Sequence, residues 1–104
     1  MSDRQDKIIV HVDPDLEDIV PRFLELRYED LQAISAGLAT GDFTALARIG
    51  HSMKGTGASY GFDYITELGR SIEQAAKAQD ADGVRNHAAQ LADYLQRVEV
   101  VFDG

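Results

Sequence analysis

Apolar residues recur along most of this chain at steps of three, four and seven, the spacing that aligns one face of an α-helix. Phe23, Leu24, Leu31, Ile34 and Leu38 make the first stripe, and Gly41-Asp42 reads as a stop followed by an N-cap. Leu46, Ile49, Met53, Gly57 and Tyr60 make the second, which Gly61 can end in the left-handed conformation. Asp63 is placed to cap a third, of Ile65, Leu68, Ile72 and Ala76. Beyond Gln79-Asp80, Val84, Ala88, Leu91, Leu95, Val98 and Phe102 alternate steps of four and three. The pattern predicts an all-α chain of four helices, each of roughly 15 to 20 residues. Their short turns favour antiparallel neighbours in a four-helix bundle over about residues 21–102.

The first 20 residues break the pattern. Asp13-Pro14 has the form of an N-cap with proline at the first helical position, so residues 15–20 are expected to form a short helix that Pro21 ends or kinks. Ile8, Ile9, Val10 and Val12 have strand-like composition, but the sequence offers no second strand to pair with them. Residues 8–20 are therefore read as a cap over one end of the bundle. As an apolar strip, Ile8–Val12 either covers the core or pairs chains, and a monomer is expected.

A chain of 104 residues builds one domain, with 44% hydrophobic and 27% charged residues, an ordinary folded composition. Ten Lys and Arg against 18 Asp and Glu give a net charge of -8 and a pI near 4.6. Such a balance argues against nucleic acid and anionic membranes as partners, since both demand a surplus of cations. With no cysteine, disulfides, thiolate metal sites and cysteine nucleophiles are excluded. Neither a membrane-spanning run nor a basic-then-apolar leader is visible, so the expectation is a cytoplasmic protein.

The second helix carries the candidate chemistry. On a wheel, its apolar stripe defines a core face and puts His51 nearly opposite, toward solvent. The helical neighbours of His51 at i-4, i+4 and i+7 are Ala47, Gly55 and Ala58, all small, so the imidazole stands on a bare patch. At i-3 and i+3 stand Arg48 and Lys54, and no acid occurs between Asp42 and Asp63. An exposed histidine taken alone is usually just surface, as are arginine, lysine and alanine on a polar helix face. The glycines are harder to dismiss, because each costs about 1 kcal/mol relative to alanine inside a helix. Gly50 and Gly57 face the core, where a neighbouring helix can approach. Gly55 faces solvent, where only a docking partner gives it a purpose. A free imidazole nitrogen is nucleophilic at neutral pH, and a phosphoryl group is an electrophile that a partner can deliver. Lys54 and Arg48 would then offset the added negative charge.

His51-Ser52-Met53-Lys54-Gly55, followed by Gly61, resembles the His-x-Leu-Lys-Gly…Gly signature of histidine-containing phosphotransfer (HPt) domains. Tyr60-Gly61-Phe62-Asp63, leading into Ile65, Leu68 and Gly69, is similar to the bacterial stand-alone members. Met53 takes the place of the commoner leucine, and Thr56 stands where serine is frequent. The resemblance implies a phosphorelay intermediate that is not itself an enzyme. His51 would take a phosphoryl group on Nε2 from the aspartyl phosphate of a receiver domain, or from a hybrid histidine kinase, and pass it to a response-regulator aspartate. Arg48, Lys54, Gly55, Ala47 and Ala58 would stabilise the phosphate and meet the partner, while Gly57 and Gly61 are structural. The chain would need no cofactor or metal of its own, with Mg²⁺ supplied by the receiver. The alternative is a helical module that binds and inhibits a receiver or kinase without being phosphorylated. Of the other histidines, His87 flanks the last stripe as a half-buried packing residue and His11 lies in the N-terminal segment. No two histidines have a helical metal-site spacing.

Overall fold

The computed structural model describes residues 6–103. Four helices are present as the apolar stripes require: α1 (Val20–Thr40), α2 (Phe43–Thr56), α3 (Asp63–Lys77) and α4 (Ala81–Arg97). Their ends are set by local chemistry. Gly41 adopts φ 69° and closes α1, a conformation that costs glycine nothing, and the Asp42 side chain accepts from the Ala45 N–H to open α2. Asp80 opens α4 in the same way, accepting from the Gly83 N–H. The core is a single cluster in which Ile34, Leu46, Met53, Phe62, Ile65, Ile72, Val84 and Leu91 are essentially excluded from solvent. Phe23 stacks on Tyr60 at 4.4 Å and on Phe62 at 5.4 Å between ring centroids, joining α1 to the α2–α3 connection.

The two ends of the chain depart from the helical expectation. The last stripe leaves the helix at Arg97, and Val98–Phe102 is a strand, β2. It pairs in parallel with Ile8–Val12, β1, in the register Ile8↔Val98 through Val12↔Phe102. The strand that the sequence lacked a partner for thus finds one in residues assigned to a helix. Val98, Val100 and Phe102 turn toward one face, so a spacing of four that suits a helix also suits a strand. Val12 is 2% exposed, so the apolar strip covers the core and is paired within its own chain.

Three smaller boundaries also shift. Residues 15–19 hold no α-helix, only a 3-10 turn over Pro14–Leu16 with Asp13 as its cap, and Val20 already belongs to α1. Pro21 opens α1 rather than ending a helix before it, because proline in the first turn gives up an N–H that has no intrahelical partner. Asp63 is the first residue of α3, with Phe62 in the cap position. Helix α2 stops at Thr56, and a 3-10 turn over Ala58–Tyr60 carries its stripe on to Gly61, at φ 92°. The helices therefore run from residue 20 to residue 97 rather than from 21 to 102.

Candidate functional site

Helices α2 and α3 meet almost backbone to backbone. A Cβ added to Gly50 would lie 2.6 Å from the Glu73 N and 2.8 Å from the Gly69 O, and one on Gly69 would lie 2.7 Å from the Gly50 O. Neither position holds a side chain without the helices parting. Gly57 makes the same kind of approach to Thr66, whose backbone N would lie 2.6 Å from an added Cβ. Thr66 then completes the end of α2, its Oγ1 accepting from the Ala58 N–H at 2.8 Å and donating to the Lys54 carbonyl at 3.1 Å. From α1, Arg27 Nη1 donates to Thr56 Oγ1 at 3.3 Å, and Thr56 Oγ1 donates to the Ser52 carbonyl at 3.0 Å. The residues around 50–57 thus belong to a rigid surface.

This close approach brings Glu73 of α3 beside α2. Glu73 is 7% exposed, one of two buried charged residues among those described. Its Oε2 lies 3.1 Å from His51 Nδ1 and its Oε1 lies 2.8 Å from Lys54 Nζ. Lys77 Nζ approaches Oε2 from the next turn of α3, at 3.3 Å. The hydrogen bond from Lys54 holds the Glu73 carboxyl well below its usual range, at about 2, against the upward pull of burial; Lys77 and His51 add to the effect. An ionised carboxylate only accepts, so the His51 Nδ1 must carry the proton and donate it. The Nε2 lone pair is then free, on a ring whose side chain is 69% exposed.

The sequence-derived positions sit as follows. His51 faces solvent and Arg48 is exposed beside it. Gly55 is open, with nothing within 4 Å of an added Cβ, and Ala58 is exposed while Ala47 is half-buried. Lys54 is not a free cation: it is 33% exposed and ion-paired to Glu73. The stretch free of acids in sequence is therefore not free of them in space. Glu73 and Lys77 were missed, because both are brought in by α3. The signal available for them was Gly69, a core-facing glycine one turn before Glu73, which marks where α3 can approach another backbone. His87 is half-buried, its Nδ1 without a hydrogen-bond partner. His11 lies outside this site, its Nδ1 2.8 Å from Asp103 Oδ2. No group of three or more His, Asp or Glu side chains among the described residues is arranged to hold a metal ion. No helix of the described residues is long and apolar enough to cross a membrane.

Neither the curated proteins nor the solved structures contain a significant match to this chain. The family model of the Hpt domain does match, over residues 18–100, which takes in all four helices and the His51–Glu73 pair. An exposed imidazole, oriented by a buried carboxylate on a helical scaffold, thus stands inside the matched region, and the chain belongs to the Hpt domain family, whose function is phosphotransfer in two-component systems.

Proposed function

We propose that this protein is a phosphorelay intermediate in which His51 accepts a phosphoryl group from a receiver-domain aspartyl phosphate, or from a hybrid histidine kinase, and hands it to a response-regulator aspartate. The observation that carries this reading is the His51 Nδ1–Glu73 Oε2 contact of 3.1 Å, which leaves Nε2 as the exposed nucleophile. The Nε2 lone pair attacks phosphorus, an N–P bond forms, and the P–O bond to the donor aspartate breaks, releasing its carboxylate. The ring gains positive character as the bond forms, and the fixed Glu73 carboxylate offsets it without any proton leaving Nδ1. Transfer onward reverses these changes. Lys54, one turn along α2, and Lys77 supply positive charge toward the incoming phosphoryl oxygens while remaining tied to Glu73. Arg48 and the bare surface of Ala47, Gly55 and Ala58 leave room for the partner to close over the ring.

The protein acts as a carrier without catalytic turnover of its own, and Mg²⁺ belongs to the receiver's site. We read the helices as antiparallel neighbours. In support, Gly50 of α2 abuts Gly69 and Glu73 while Gly57, further along, abuts Thr66, which comes earlier in α3. A monomer is the expected form, because the apolar strip of β1 is paired within the chain. The test is transfer of label from a receiver phosphorylated on aspartate: an acid-labile, base-stable phosphoprotein should form, and His51→Gln should abolish it. Full labelling of His51→Gln would overturn the proposal, and an unchanged cellular effect of His51→Ala would support a non-phosphorylated binding module instead.

A further inference from the structure

A second surface is built on the side of the fold that α2 does not reach. An open groove of about 640 Å³ runs between β1, the start of α3 and the last turns of α4, and no residue of α2 lines it. Its apolar wall is Ile8 and Val10 of β1, and opposite them Tyr64 packs on Tyr94 with ring centroids 4.9 Å apart. Tyr64 is 39% exposed and lines the groove. Asp63 and Asp93 carry carboxylates into the same lining. The groove's one cation, Arg97, is already engaged: Nη1 lies 2.9 Å from Asp93 Oδ2, and Nε donates to the Asp6 carbonyl at 2.8 Å. Asp63 makes no ion pair among the described residues.

Carboxylates beside exposed aromatic faces attract an ammonium or guanidinium head, and an apolar wall suits the alkyl stem behind it. The shape adds a second requirement. Among the described residues β1 pairs with β2 alone, and the groove is lined by β1 but by no residue of β2. The groove lies against the inward face of β1, beside the edge that β2 does not cover, and the N–H and C=O groups of that edge can accept another extended chain. A second copy of this protein, itself at -8, is disfavoured by charge. We propose that this groove binds an extended, basic segment of a partner protein along the free edge of β1, with a lysine or arginine head held between Tyr64 and Asp63, Asp93 being already paired to Arg97.

The test is a titration of the ¹⁵N-labelled protein with a capped hexapeptide alternating valine and lysine, beside the same peptide with glutamate in place of lysine. Amide shifts should be confined to Ile8–Val12, the start of α3 and the end of α4, and the glutamate peptide should bind at least about tenfold more weakly. Tyr64→Ala and, separately, Asp63→Asn should each weaken the lysine peptide by a factor of about three to ten; Asp63→Asn leaves the aromatic packing in place. No shifts at millimolar peptide, shifts spread over the helices away from the groove, equal binding of the glutamate peptide, or indifference to both substitutions would each overturn the proposal.

Discussion

Gly50→Ala and Gly55→Ala add the same methyl group to the same helix, yet the structure demands opposite outcomes. At Gly55 the new Cβ meets nothing within 4 Å, so the substitution recovers the intrinsic helix preference of alanine, about 1 kcal/mol. In a domain of this size that raises the melting temperature by about 5 °C. At Gly50 the same gain is outweighed. The Cβ would sit 2.6 Å from the Glu73 N and 2.8 Å from the Gly69 O, both backbone atoms that no rotamer change can move aside. Carbon contacts relax only near 3.5 Å, so the helices must part by on the order of 1 Å. Overpacking of this kind costs about 3 kcal/mol, leaving a net loss of about 2 kcal/mol and a melting temperature lower by about 10 °C. Parting α2 from α3 also stretches the His51–Glu73 contact beyond hydrogen-bond range, so phosphoryl transfer should slow more than the loss of stability explains. Urea and thermal unfolding of the two variants, beside transfer rates measured well below the melting temperature, check the argument. A Gly50→Ala variant as stable and as active as the parent would refute the close approach on which the site depends.

The Glu73 carboxyl is held at about 2 in the folded protein against an ordinary 4.5, so the unfolded chain binds its proton first. Its contribution to stability is present above about pH 4.5 and is lost as pH falls toward 2; in Glu73→Gln the urea midpoint should fall less across that window, and an identical slope would dismiss the pairing. Lys54→Ala removes a partly exposed ion pair worth at most about 1 kcal/mol, so the fold should persist while transfer slows or phospho-His51 shortens its lifetime. Lys77→Ala should act in the same direction and more weakly, since Lys77 is the more exposed cation; undiminished transfer in both variants would show that these charges are irrelevant. Val12→Ala, at a site 2% exposed where β1 meets the core, should cost about 2 kcal/mol in urea unfolding.

The helices and the acceptor were legible because their signals are local. Gly41, Asp42 and Gly61 act through their own backbone or side chain, and the exposure of His51 follows from its angle to Leu46 and Met53 on one helix. The strands were not legible. Residues 98, 100 and 102 share a face in a strand, while 98 and 102 also share one in a helix, and only the β-branched run of Val98, Val100 and Val101 separates the two readings. The other misreading came from treating charge as a property of sequence neighbourhood. No acid lies within residues 43–62, yet Glu73 reaches the centre of that surface because two glycines, one per helix, let α3 approach. A glycine pair is a statement about distance that periodicity along a single helix does not contain.

The parallel pairing of β1 and β2 has a mechanical consequence. The chain enters the pair at Ile8 and leaves it at Phe102, at opposite ends of two strands that run in the same direction. Any segment joined before β1 and any joined after β2 would pull along the strands in opposite senses, loading the connecting hydrogen bonds in shear, all together, rather than one at a time. The two exits stand about 14 Å apart, four steps of about 3.3 Å along the strands and one strand spacing of about 4.8 Å across. Tension applied through the chain ends would therefore be met first at the β1–β2 pair, and the helices carrying His51 and Glu73 would be shielded until that pair gives way.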